Sequence, residues 1–156
     1  MFRSTRVVVL LGLLLGSTAM LHAASCGLSV AGLSFGNFNL LDAAPRDSSS
    51  SLTVTCTGIT GESVSYSLAA ALAPAYSGTR IMANGSYSLR YNFFVDASRT
   101  VVFGDGTLGS TLIGGGMTLS GSQGQAAHTI YARIEGHQNV APPGSYGDTV
   151  VLTISY

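Results

Sequence analysis

Val150, Leu152, Ile154 and Tyr156 are alternate residues, with Val151, Thr153 and Ser155 between them. A spacing of two puts side chains on one face of a β-strand, whereas one face of a helix needs spacings of three and four. The same period recurs along the chain. Leu52, Val54 and Cys56 alternate, as do Val64, Tyr66 and Leu68, and then Tyr87, Leu89, Tyr91 and Phe93. No segment after Cys26 sustains a helical period, and Gly, Ser, Thr and Ala interrupt every apolar run. The chain is therefore expected to be all-β.

The strands this pattern predicts are short. A first one runs from Gly27 to Leu33, with a break near Gly32. Gly36 to Ser51 reads as a loop, because it holds Pro45, Asp47 and four successive serines. Leu52–Cys56 and Ser63–Leu68 follow as strands, and Ala69 to Gly78 reads as a loop or irregular edge around Pro74. Asn84-Gly85 is a strong hairpin signal, separating Arg80–Ala83 from Tyr87–Val95. Thr100–Phe103 is a short strand, ended by Gly104-Asp-Gly106. The glycine-rich stretch Gly109–Gly124 reads as turns and a bulged edge strand. Met117–Leu119, Ala127–Ile134 and Asp148–Tyr156 complete a set of about eight or nine strands at fairly even spacing, a pattern that points to a β-sandwich, with a closed barrel as the alternative.

The N-terminus sets the compartment. Arg3 and Arg6 precede the apolar run Val7–Leu15, and small residues then lead to Ala23, Ala24 and Ser25. A basic start, a short apolar core and an alanine-rich end are those of a secretory signal peptide. The run is short of the roughly 20 apolar residues that span a bilayer, so a retained anchor helix is the weaker alternative. Residues 1–23 are expected to be the signal peptide and residues 24–156 a single exported domain, with no membrane span after signal removal.

In an exported chain, Cys26 and Cys56 read as a disulfide. Closing the loop between them stabilises by roughly 3.5–4 kcal/mol in the chain-entropy model. Metal binding by the pair is less well supported, since no Cys-x-x-Cys spacing or neighbouring His completes a ligand set. Lipid attachment at Cys26 is a further alternative, but it lacks the usual Leu three positions earlier and leaves Cys56 unpaired.

Charge is sparse beyond the signal. Arg46, Arg80, Arg90, Arg99 and Arg133 stand against Asp42, Asp47, Glu62, Asp96, Asp105, Glu135 and Asp148, and there is no lysine. Nothing makes the basic stripe that nucleic acid requires, so no nucleic-acid partner is expected. His128 and His137 have no nucleophile or carboxylate at a catalytic spacing, so no catalytic residues, metal or cofactor are expected and the chain is not read as an enzyme. Asp96, Arg99 and Asp105 surround a short strand; they read as an ion pair and Asx-turns rather than a calcium loop, which needs six or more oxygens.

Several stretches together resemble the spore coat protein U domain, a branch of the chaperone–usher pilus subunits. They are Cys26-Gly-Leu-Ser-Val30 with Leu33-Ser-Phe-Gly36; Leu52-Thr-Val-Thr-Cys56; Leu89-Arg-Tyr-Asn-Phe-Phe-Val-Asp96 with Arg99-Thr-Val-Val-Phe-Gly-Asp-Gly106; Tyr131-Ala-Arg-Ile134; Pro143-Gly-Ser-Tyr146; and Asp148-Thr-Val150 with Leu152-Thr-Ile-Ser-Tyr156. Phe103-Gly-Asp-Gly stands where the family usually has Trp-Gly-Asp-Gly. The resemblance implies an immunoglobulin-like β-sandwich lacking its final strand, completed by a donor strand from a partner. It implies an apolar groove with Val150, Leu152, Ile154 and Tyr156 on one wall and Leu28 and Val30 on the other. It implies a periplasmic pilus chaperone, an outer-membrane usher and neighbouring pilin subunits as partners. The place is the periplasm in transit and then the surface of a Gram-negative bacterium, as part of a pilus.

In one respect the chain departs from that family. Cleavage after Ala23 leaves only Ala24 and Ser25 before Cys26, spanning about 7 Å, where a ten-residue donor segment spans about 33 Å. The expectation is a subunit that accepts a strand without donating one, as at a pilus tip. The alternative is a self-contained spore-coat-like or cell-surface binding protein.

Overall fold

A computed structural model describes residues 23–39, 41–72, 78–138 and 141–156. The expected signal peptide, apart from Ala23, lies outside the described residues. Eight strands follow in chain order: β1 (Ser25–Val30), β2 (Arg46–Thr57), β3 (Ser63–Ala70), β4 (Arg80–Asn84), β5 (Tyr87–Phe94), β6 (Ile113–Thr118), β7 (Gln123–Ile134) and β8 (Leu152–Ser155). They form a five-stranded sheet, β1-β2-β7-β5-β4, and a three-stranded sheet, β6-β3-β8. Every strand pairing is antiparallel. The fold is all-β, and no helix among the described residues is long and apolar enough to cross a membrane.

The period of two does what it predicts. Leu52, Val54 and Cys56 of β2 and Val64, Tyr66 and Leu68 of β3 are buried and face one another across the sandwich. Phe103, Leu119 and Ile130 close this first core cluster. Each fully buried aliphatic in it contributes roughly 1.5–3 kcal/mol. Cys26 lies opposite Cys56 in the β1–β2 ladder and the two are joined by a disulfide. Tyr66 Oη and His128 Nε2 lie 2.8 Å apart and link the two sheets at the opposite side of the core from β8.

A second cluster lies beside the first. Met82, Leu89, Tyr91, Ala132 and Ile134 of the five-stranded sheet pack with Phe35 and Ala141 from the loops that cross it. The Asn84-Gly85 hairpin forms as expected, with Asn84 opposite Tyr87 and Gly85 at φ +60°, a backbone region that glycine enters without strain.

Three expectations need correction. The serine run is strand, not loop: β2 begins at Arg46, and Asp47 to Ser51 pair with Arg133 to Thr129 of β7. Hydrogen bonding to a long partner outweighs the weak strand preference of serine. Thr100–Phe103 is not a strand; only isolated bridges form, Phe94 to Val102 and Phe103 to Thr111. The last strand is shorter than expected, Leu152–Ser155, because its partner β3 ends at Ala70.

Candidate functional site

The two sheets do not close on each other along one side. Among the described residues β8 is bonded to β3 only and forms the edge of the small sheet, while β1 forms one edge of the large one. Where the two edges part, beyond Val30 of β1 and before Leu152 of β8, opens a cleft of about 900 Å³. Its floor is the inner face of the large sheet, with Met82, Leu89, Tyr91, Phe93, Ile130 and Ile134. One wall is the chain that continues from β1, Val30 to Asn39; the other is the approach to β8, from Ala141 to Leu152. The floor is apolar because these residues are the alternate, inward-facing positions of β4, β5 and β7.

The sequence-derived wall residues fall into two groups. Leu28, Val150, Leu152 and Ile154 are half-buried and pack on the first core cluster. Val30 and Tyr156 are 49% and 59% exposed. Val30, Val150 and Leu152 line the cleft itself; Leu28, Ile154 and Tyr156 do not. The floor went unassigned at the sequence level. Leu89, Tyr91 and Phe93 were visible as one face of a strand, but nothing local says that this face lies beneath a gap between two other strands.

The cleft has polar fittings at both walls. Tyr91 Oη donates to Asp148 Oδ2 at 2.6 Å, and Asp148 Oδ1 accepts from the Thr149 amide at 2.7 Å. Burial, reinforced by the hydrogen bond to Asp148 and its charge, holds the Tyr91 phenol well above the usual tyrosine range. Gly147 and Ala83 exchange backbone hydrogen bonds of 2.8 and 3.2 Å, which ties this wall to the β4 edge. On the other wall, Arg46 Nε donates to Phe35 O at 3.0 Å and Ser48 Oγ to Ser34 O at 2.6 Å, and Ser50 Oγ donates to Ala31 O.

Beside the floor lies a buried cation. Arg80 is 2% exposed, its guanidinium sits 4.7 Å from the centre of the Phe93 ring, and its Nη2 donates to the carbonyls of Ala70 (3.2 Å) and Phe103 (3.0 Å). No carboxylate pairs with it among the described residues. Burial lowers its pKa, and Tyr91, Asp148 and Asp105 act in the opposite direction.

The Asp96, Arg99 and Asp105 group divides differently from the expectation. Asp105 accepts from the Thr107 amide two residues on and so forms an Asx-turn, whereas Asp96 accepts from the amides of Thr100 and Val101, four and five residues on, and closes a wider loop. The ion pair lies elsewhere: Arg99 meets Asp47 at 3.2 Å, alongside Arg133 at 2.8 Å. Pairing across strands decided this, since Asp47 belongs to β2, which had been read as loop. Among the described residues no group of three His, Cys, Asp or Glu side chains is placed to hold a metal ion.

The sequence matches the family model described as Spore Coat Protein U domain over residues 14–153. No curated protein matches it. Among solved structures the chain is similar to one from the CsuC–CsuE chaperone–tip adhesion subunit pre-assembly complex of the archaic chaperone–usher Csu pili of Acinetobacter baumannii. The TM-score is 0.57 at 20% sequence identity, over 86% of this chain and 40% of that chain. This chain thus corresponds to less than half of that neighbour, and at such identity the likeness is one of fold.

Proposed function

The chain belongs to the Spore Coat Protein U domain family, and on that footing we propose that it is an exported, structural pilus subunit of the chaperone–usher kind, assembled by accepting a β-strand from a partner. The observation that carries this reading is the cleft. It has an apolar floor, a strand edge at β8 that no strand among the described residues covers, and a length of crossing backbone on the facing wall. An extended segment laid there would add a strand to β8 and bury alternate side chains against Met82, Leu89, Tyr91 and Ile134, the strand-addition mode of recognition. Left open, the same apolar slot and bare edge invite aggregation.

In this reading residues 1–23 direct export and residues 24–156 are the working domain. Val30, Val150 and Leu152 border the slot, and Leu28 and Ile154 pack on the core beside it. A periplasmic chaperone fills it first, a neighbouring subunit replaces the chaperone at an outer-membrane usher, and the fibre stands on the cell surface. A terminal place in that fibre rests on cleavage after Ala23; polymers growing from this chain's N-terminus on mixing with a donor-lacking subunit would refute it.

The test is refolding of residues 24–156 from urea, with and without a fifteen-residue peptide of alternating Val and Ser. Slow, low-yield refolding that the peptide rescues, together with a raised urea midpoint, supports the reading. Leu152→Asp should abolish the rescue. Rapid unaided refolding with no peptide bound overturns it, and leaves a self-contained cell-surface protein.

A further inference from the structure

The inward face of β2 changes character halfway along. Leu52, Val54 and Cys56 are fully buried, while the preceding residues of the same alternate set are Ser50, Ser48 and Arg46. The change coincides with the point where β1 leaves the ladder. β1 and β2 pair as far as Val30 with Leu52, and the last backbone bond runs from the Ala31 amide to Ser51 O at 3.1 Å. Beyond it the chain is held by side chains alone. Ser50, Ser48 and Arg46 donate in turn to the carbonyls of Ala31, Ser34 and Phe35. The amides of Gly32, Leu33 and Phe35 have no backbone partner among the described residues.

We propose that Arg46, Ser48 and Ser50 are positioning residues of the cleft: beyond Ala31 they hold Gly32–Phe35 one side-chain length off β2, so that the amides of Gly32, Leu33 and Phe35 stay unpaired and ready for an incoming strand. A direct ladder with β2 would consume the backbone groups of alternate residues and leave the wall flush with the large sheet. Three side-chain donors satisfy the carbonyls that face β2 and leave the amides free. The run of serines then has a physical purpose. A short hydroxyl reaches a carbonyl from a strand face, and an aliphatic at position 48 or 50 would leave Ser34 O or Ala31 O without its donor. Ser49 and Ser51, in the same run, point to the outer face and make no such bond.

This inference rests on the strand-accepting reading, and the experiment separates the two. Three variants of the full exported domain are compared with the wild type: the double variant Ser48→Ala/Ser50→Ala, the outward control Ser49→Ala/Ser51→Ala, and the rescue Ser48→Thr/Ser50→Thr. Affinity for the alternating Val/Ser peptide and ¹⁵N order parameters over Ala31–Phe35 are measured on each. The inward alanines should weaken peptide binding by about tenfold, as expected for two lost hydrogen bonds, and lower the order parameters. The outward alanines should do neither, and the threonines should restore both. Equal binding and equal order in all four proteins overturns the inference and leaves the strand-accepting reading intact. If the wild type binds no peptide, that reading fails, and the order parameters alone decide whether the hydroxyls position the wall. Equal loss in the inward and outward variants also overturns the inference, since it would report strand propensity and not the hydroxyl bonds.

Discussion

The Tyr91 hydroxyl, on the floor of the cleft, donates a 2.6 Å hydrogen bond to the Asp148 carboxylate on its wall. The bond joins β5 of the large sheet to the segment that leads into β8 of the small one. Tyr91 is also stacked edge-on with Phe35 at 6.0 Å and Phe93 at 5.4 Å, so the ring that anchors the wall is itself held on two sides. The cleft is thereby braced at one end by a side chain that also forms its floor.

Burial of the Tyr91 phenol, together with its bond to Asp148, should make stability fall at high pH. The Tyr91 phenol is held above its ordinary value by burial, then by Asp148. A raised folded-state pKa contributes stability that is complete below the unfolded value of about 10 and is lost as pH rises beyond it. Urea midpoints should hold from pH 7 to about 9.5 and then decline. Tyr91→Phe should lower the unfolding free energy at pH 7 by about 1–2 kcal/mol and flatten the alkaline decline. A decline of the same steepness in Tyr91→Phe would assign it to other groups.

Gly115 of β6 sits under Tyr66. A Cβ at Gly115 would lie 2.5 Å from Tyr66 Cζ and 2.7 Å from Cε2, whereas one at Gly114 would have nothing within 4 Å. Gly115→Ala should therefore cost roughly 1–3 kcal/mol through overpacking and disturb the Tyr66–His128 link. Gly114→Ala should be neutral or mildly stabilising. Chemical denaturation of the two variants side by side checks the contrast.

Arg80 offers a case where removing a buried charge should not help. Replacing buried ion pairs with apolar groups is often harmless, but here the guanidinium serves two carbonyls, of Ala70 and Phe103. Arg80→Met would leave both without that donor. A loss of roughly 2–6 kcal/mol is expected, from about 1–3 for each of the two unsatisfied groups. Arg80→Lys should lose less, because an ammonium can still reach one of them. Equal stability of Arg80→Met and wild type would show that the carbonyls find other donors.

The Cys26–Cys56 bond closes a loop with a sequence separation of 30. Chain entropy assigns it roughly 3.5–4 kcal/mol. Urea midpoints measured with and without reductant should differ accordingly, and Cys26→Ser/Cys56→Ser should match the reduced protein. A reduced protein as stable as the oxidised one would mean that residual structure in the unfolded chain already holds β1 near β2.

Alternation identified the all-β class, the inward sets Leu52–Val54–Cys56 and Val64–Tyr66–Leu68, and Leu152 and Ile154 as a same-face pair on the last strand, and the Asn84-Gly85 turn signal identified the hairpin. Those are local facts: a strand's two faces follow from the geometry of a single extended backbone. The tertiary structure alone decided that β5 lies between β7 and β4, that Met82, Leu89 and Tyr91 therefore floor a gap, and that Ser48 and Ser50 belong to a strand turned toward the carbonyls of Ala31 and Ser34. Strand order depends on which distant edges find each other, and the same alternating face can be buried beneath a sheet or left beside an opening. A side chain's period says which way it points, and only the partner strands determine what it meets there.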